Sequence, residues 1–404
     1  MADHSRPDIF DGSTSTRLWD LIVIGAGPSG SSAARVAAEA GASVLILDRA
    51  KFPRYKTCGG GLIGISMAHL PVSVLATIEQ QARSVRFSLR GRSAVSHRSL
   101  DLVLSLVQRE RFDDALVTAA VEAGVVFVDG VVVKSMVEQP HQPAEKNAES
   151  HDTTVTITTD RGDLRARVVI GADGTNGRAG RYVGVEYRGT DLALELEVNR
   201  SAITDRFDGS VYFDWGKPAG SYGWMFPKTD VITVGVIQAR GYPDATRKYL
   251  DTWMSQLGLE NSEVERSTGH LTQWRSATSP LRRGRVLVVG DAAGLLDPWT
   301  REGISFALRS GCWAGEAAAM AVRESRQGAL GDYEARVLAE LEPDIRAGER
   351  LLHLFERHPA LVHFFLARTW VGVTLFIRVC LGTATLGSLL KHRSASAVLR
   401  LLRA

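Results

Sequence analysis

The rhythm of apolar and polar positions changes along this chain, and the changes separate three kinds of region. Leu21-Ile22-Val23-Ile24 and Val44-Leu45-Ile46-Leu47 are unbroken apolar runs, the pattern of strands buried on both faces of a parallel sheet. Between them residues 31–40 are alanine-rich and predict a helix. Residues 115–123 predict a second helix, stopped at Gly124, and 125–133 a strand or hairpin. Residues 138–152 are polar and aperiodic between strand-like runs, which predicts an exposed hairpin loop. From 191 to 237 the chain alternates apolar and polar like an antiparallel sheet, so a second region is built differently from the first. Arg285-Val286-Leu287-Val288-Val289-Gly290 then returns to the first pattern, and two distant segments are expected to share one sheet. Residues 304–323 predict a long helix whose small residues suit close packing, and the remainder reads as helical.

The turn after the first strand carries the first chemistry. In Gly25-Ala26-Gly27-Pro28-Ser29-Gly30, Gly25 allows a sharp turn, Gly27 lets bare backbone approach a pyrophosphate, and Gly30 lets the helix pack close. Pro28 costs little at a first helical position, and the helix N-terminus attracts phosphate. Asp48 closes the second strand 18 residues after Gly30; a carboxylate there accepts from ribose hydroxyls and repels a 2′-phosphate, so FAD or NAD fits better than NADP. Only one such fingerprint is visible, so a separate electron donor is expected to dock transiently, whether NADPH, a ferredoxin or a reduced quinone.

Composition narrows the classes. With 404 residues and 45% hydrophobic content the chain can bury sizeable cores, and a net charge of +3 without basic runs beside aromatics gives no footprint for nucleic acid. Cys58, Cys312 and Cys380 are few and far apart, which argues against a disulfide scaffold or thiolate metal site; no metal is expected, and a reducing cytoplasm is the expected setting. Residues 1–18 are polar without the apolar core of a signal peptide and are expected to form a flexible tail.

The glycine turn with Asp48, Arg109 before Phe112-Asp113, Gly171-Ala172-Asp173-Gly174 and Gly290-Asp291-Ala292-Ala293-Gly294 together resemble FAD-dependent enzymes of the p-hydroxybenzoate hydroxylase-like fold, over most of residues 20–320. Within that group Cys58-Gly59-Gly60-Gly61 and Tyr222-Gly223-Trp224-Met225-Phe226-Pro227-Lys228 are similar to the CGGG and YxWxFPK signatures of the geranylgeranyl reductase family. The resemblance implies an α/β chain of mixed α+β character. A Rossmann-like FAD-binding domain (19–185 plus 270–325) would carry an inserted antiparallel-sheet substrate domain (186–269) and a helical C-terminal region (326–404). FAD is the implied cofactor, with Gly25, Gly27, Pro28, Ser29, Gly30, Asp48, Arg49, Arg109, Asp173, Gly174, Gly290, Asp291, Gly303 and Ile304 around it. Asp291 would reach ribityl or ribose hydroxyls, and the Gly303 and Ile304 amides would stabilise negative charge on a reduced flavin. The family loop reads P-x-x-G-E-G-I, whereas Pro298-Trp299-Thr300-Arg301-Glu302-Gly303-Ile304 puts Arg301 in place of a glycine; it would reinforce that charge or narrow the pocket.

Tyr222, Trp224 and Phe226 alternate, so a strand points all three to one face. The resemblance makes that face the wall of a channel for an isoprenoid chain; an ordinary sheet core is the other reading. Lys228 would meet a diphosphate or solvent. Cys58 is the expected catalytic side chain, donating or relaying a proton, against the alternative that it packs a tight loop. The implied activity is reduction of carbon–carbon double bonds in a geranylgeranyl chain carried by a lipid, a diphosphate or a quinone. An aromatic monooxygenase or halogenase of the same fold is the alternative, and a non-enzymatic flavin or prenyl-lipid carrier a third. Residues 361–390 are strongly apolar but interrupted by Arg368 and Arg378, and the run 379–390 is shorter than the ~20 residues that span a bilayer. With Lys391, His392, Arg393, Arg400 and Arg403 beyond, the stretch suits a helix on the inner face of the cell membrane, or one packed against the body with snorkelling arginines.

Overall fold

The computed structural model describes residues 10, 17–140, 153–200, 207, 209–324, 326 and 328–391. The tail at 1–18 and the hairpin tip at 138–152 fall largely outside these, as do His392, Arg393, Arg400 and Arg403.

The two continuous apolar runs lie where a doubly covered parallel sheet needs them. Strand Leu18–Ile24 sits between Val44–Asp48 and Asp163–Gly171, with Ile22 opposite Leu45 and Val169, all buried. Val126–Asp129 extends one side and Val286–Val288 the other, so the distant segments do share one sheet. Thr153–Thr159 and Val133–Pro140 add an antiparallel flap onto Asp163–Gly171. The first helix, Pro28–Glu39, starts earlier than the alanine content indicates, because proline fits the first helical position. Helix Ile304–Arg323 packs closely on it: Gly311 and Gly315 lie so near the Ser29 and Ala33 carbonyls that no Cβ would fit. Helix Arg109–Glu122 also begins before the predicted segment.

A seven-stranded sheet forms the second layer, in the order Val264–Arg275, Tyr187–Asn199, Val231–Ala239, Tyr222–Pro227, Ser210–Trp215, Ser84–Leu89, Arg92–Arg98. The last two strands come from the stretch assigned by sequence to the cofactor-binding part, and the boundary at 269/270 falls inside Val264–Arg275. Ser84–Leu89 joins Ser210–Trp215 in parallel, where its Phe87 is fully buried. One face of this sheet is covered by helix Pro243–Leu257, whose Trp253 indole donates to the Trp224 carbonyl at 3.1 Å. The other face receives the C-terminal helices Glu342–Arg357, Pro359–Arg368 and Trp370–Cys380.

Candidate active site

The glycine turn shows what each position is for. Gly25 has φ +105°, and a Cβ there would run into the Ala172 carbonyl; one on Gly30 would strike the Gly25 carbonyl. Gly27 differs: its Cβ would meet only Arg54 Nη2, at 3.5 Å. Gly27 also caps helix Pro28–Glu39 without a side chain, leaving open space at an uncapped, electropositive helix end. Both Asp48 oxygens accept backbone amides at 2.8 Å, Ala26 on Oδ2 and Ala50 on Oδ1, so this acid also holds the turn in shape. Arg49 is exposed just beyond it.

The second glycine–acid corner leans on the first. Gly290 has φ +52°, and a Cβ on it would stand 2.9 Å from Ser29 Oγ. Asp173 Oδ2 caps helix Arg178–Val183 by accepting from the Ala179 amide at 3.1 Å, while Oδ1 is buried without a partner among the described residues. Burial raises this carboxyl above its ordinary range. Next to Asp173, Gly174 has φ +75° and open space around it. Arg54 Nη1 is likewise buried and unpartnered, while its Nη2 pairs with Asp113 at 3.0 Å. An orphaned donor, an orphaned acceptor and the open cradle at Gly27 fit a ligand bearing both phosphate oxygens and sugar hydroxyls, as FAD does. Gly25 through Gly30, Arg54, Asp173 and Asp291 would hold it, and FAD once bound supplies hydride chemistry.

Arg109, at the start of its helix, grips Asp113 through two hydrogen bonds of 2.8 Å and also bonds the Cys58 sulfur. Lys56 lies 3.5 Å from Asp291 and 3.3 Å from His270 Nε2. Burial opposes ionisation of Asp291, but the Lys56 ammonium, with Arg109 behind it, outweighs that and holds the carboxyl below its usual range. Burial and the Lys56 ammonium push His270 down, so the imidazole is neutral near neutral pH.

The Cys58-Gly59-Gly60-Gly61 loop lies against the aromatic strand. A Cβ on Gly59 would stand 3.0 Å from Phe226 Cε2 and 3.1 Å from Trp224 Nε1, an indole nitrogen itself buried without a hydrogen-bond partner among the described residues. The Gly60 amide donates to Cys58 Sγ at 3.4 Å, and the Cys58 amide donates to Glu195 Oε1 at 3.0 Å. Tyr222, Trp224 and Phe226 do share one face, where Phe213 meets Phe226 edge-on at 5.5 Å. Phe376 and Phe355 from the C-terminal helices close over the neighbouring Phe87, Phe213 and Trp215. Lys228 corrects the sequence expectation: it is 1% exposed and does not meet solvent, because the strand ends beneath the Gly60 turn.

The loop 297–303 is stitched rather than open. Asp297 Oδ1 accepts from the Trp299 and Thr300 amides, and Tyr222 donates to the Thr300 carbonyl at 2.5 Å. Arg301 sits at φ +56°, the backbone region that explains a glycine in related loops. Its guanidinium is buried in an ion pair with Asp191 at 2.7 Å, so its charge is compensated and it braces the loop to strand Tyr187–Asn199. Replacing Arg301 by alanine is expected to strand the Asp191 charge and lower the unfolding free energy by about 3–5 kcal/mol, read by denaturant titration. Replacing both partners by apolar residues should recover most of that loss. Glu302 changes the expectation for Ile304: its carboxyl accepts from the Ser305 amide at 2.7 Å and also bonds the Ile304 amide. The Ile304 and Ser305 amides are turned to a side chain, since a carboxyl two residues before the first helical residue meets the positive end of the helix. Burial raises Glu302 to about 7.

Sequence reasoning missed Tyr55, Lys56, His270 and above all Glu195. Tyr55 and Lys56 stand in the glycine-rich loop, and their spacing before Cys58 carries no signal alone. Glu195 stands on an alternating strand whose polar side reads as solvent-facing, yet the 52–60 loop covers it.

Comparison with known proteins agrees with this geometry. Residues 19–341 match the family model described as FAD binding domain. The chain is 30% identical over 332 residues to a digeranylgeranylglycerophospholipid reductase of Methanopyrus kandleri, covering 76% of this chain and 82% of that one. It is 27% identical over 319 residues to a menaquinone reductase of Mycolicibacterium smegmatis, covering 74% and 75%. Among solved structures, a geranylgeranyl bacteriochlorophyll reductase-like protein of Thermoplasma acidophilum superposes with a TM-score of 0.75 at 22% identity, covering 96% of this chain and 99% of that one.

Proposed function

Because this chain belongs to the FAD binding domain family and is an FAD-dependent oxidoreductase, we propose that it saturates carbon–carbon double bonds in a geranylgeranyl or similar isoprenoid chain. One observation carries the reading: the Cys58 thiol sits in a glycine loop laid directly on the Trp224–Phe226 wall. An apolar chain bound along that wall brings an alkene to a proton donor with no charged group of its own to desolvate. Relatives named as reductases of prenylated phospholipids and of menaquinone support the reaction class and leave lipid, diphosphate and quinone tails as substrates. The electron donor is NADPH, a ferredoxin or a reduced quinone.

Such substrates favour contact with a lipid surface, and the C-terminal elbow supplies one. No single helix among the described residues is long and apolar enough to cross a membrane; Pro359–Arg368 and Trp370–Cys380 meet at 84°. Their buried sides, including Val362, Leu366 and Cys380, pack on the sheet, while Leu361, Phe364, Phe365, Trp370 and Val371 are exposed beside Arg368. That arrangement suits an interfacial anchor on an anionic leaflet.

The test incubates dithionite-reduced protein without oxygen, with geranylgeranyl diphosphate and with menaquinone in anionic vesicles. Mass spectrometry should show two hydrogens gained per reduced bond, and the vesicles should sediment the parent protein better than Trp370→Ser. Oxygen inserted into an aromatic ring in aerobic assays, with no hydrogen gained anaerobically, would sink the reading.

A further inference from the structure

Behind Cys58 lies a set of buried ionisable groups that a lone thiol donor does not explain. Glu195 is 1% exposed; its Oε1 accepts from the Cys58 amide at 3.0 Å and from the Tyr55 hydroxyl at 3.1 Å. Its Oε2 is buried with no hydrogen-bond partner among the described residues. Lys228, also 1% exposed, faces both Glu195 and Cys58, with Nζ against the Gly60 turn. Tyr55 is pinned over Glu195 by Thr268 Oγ1 at 3.3 Å and by the Arg266 guanidinium stacked on its ring at 4.1 Å.

We propose that Glu195, with Lys228 beside it, stores the proton that recharges Cys58 after each reduction, an inference that rests on the reading of Cys58 as proton donor. In the step itself the S–H bond breaks as a C–H bond forms at one alkene carbon; FAD, when bound and reduced by the external electron donor, would supply the hydride for the other carbon. The Glu195 O–H bond then breaks as S–H re-forms. The carboxylate left behind is balanced by the Lys228 ammonium, the Cys58 amide and the Tyr55 hydroxyl, and water returns the proton between turnovers. Burial raises the Glu195 carboxyl to about 7 despite Lys228, the Cys58 amide and Tyr55, and burial lowers Lys228. Of the other groups facing this set, Arg109 stays charged on Asp113, and Tyr55 and Tyr222 stay protonated. From a distance Glu197, held by Arg266 at 3.5 Å, acts on Lys228, Glu195 and Tyr55, and Glu79 acts on Lys228.

The experiment compares the FAD-loaded parent with Glu195→Gln and Glu195→Asp. A carboxyl raised to about 7 holds its proton below that pH, so parental turnover should fall as pH rises through about 7. Glu195→Gln should lose turnover by ~100-fold and lose this limb, while Glu195→Asp keeps the limb at a lower rate. An independent readout is Cys58 alkylation by iodoacetamide, located by peptide mass spectrometry. Ionised Glu195 opposes negative charge on the neighbouring sulfur, so above about pH 7 Glu195→Gln should be alkylated faster than the parent. An unchanged limb and alkylation curve in Glu195→Gln overturns the proposal and leaves the Cys58 reading intact. Full turnover in Cys58→Ala overturns that reading, and this proposal with it.

Discussion

Gly27→Val should yield a folded protein that carries no FAD. The backbone at Gly27, φ −73° and ψ −177°, is open to any residue, and a Cβ there meets only an arginine tip at 3.5 Å. The valine methyls would instead fill the space over the first amides of helix Pro28–Glu39, where the pyrophosphate of FAD would lie. Losing two charge-assisted amide bonds, at about 1.5–3 kcal/mol each, weakens binding by ~10²–10⁴-fold. Visible flavin absorbance should vanish while circular dichroism and the denaturation midpoint stay near parental values. Gly25→Ala is the contrast: at φ +105° and against the Ala172 carbonyl, even one methyl should cost the fold itself. A Gly27→Val protein that is still yellow would show that the phosphates bind elsewhere.

Cys58→Ala should retain FAD and stability and lose ~10²–10⁴-fold in turnover, the range for a positioned general acid. Removing Sγ takes away one weak acceptor for the Gly60 amide and leaves the Cys58 amide on Glu195, so the loop should keep its shape. The Arg109 bond to the sulfur is spare, since two hydrogen bonds to Asp113 already hold that guanidinium. Steady-state kcat with a prenyl substrate, beside flavin content and a thermal melt, separates the two roles. Turnover at the parental level would make Cys58 a packing residue.

The parts of this molecule legible in its sequence are those where backbone sterics leave one choice. Gly25 and Gly30 can be nothing else, and a carboxylate ending the second strand is placed by the same βαβ geometry, so the turn and Asp48 could be read directly. Continuous apolar runs betrayed the parallel strands for a similar reason: burial on both faces removes the alternation. Glu195 was illegible because alternation reports which side of a strand a residue takes and not what later covers that side. Arg92–Arg98 was missed because an exposed edge strand of arginine, serine and histidine carries no apolar rhythm. Lys228 read as a strand-end cation, and only the Gly60 turn folding back over it made it buried. Arg301 broke a glycine pattern, and its reason lay 110 residues away in Asp191.

The strand order of the aromatic layer also governs how this chain can be assembled. Ser84–Leu89 and Arg92–Arg98 complete a sheet whose other strands are synthesised more than 80 residues later, so neither layer closes until the other has been threaded. Such non-local pairing slows folding and couples the layers into one cooperative transition. An excised 186–269 fragment would present Ser210–Trp215 as a raw apolar border prone to self-association.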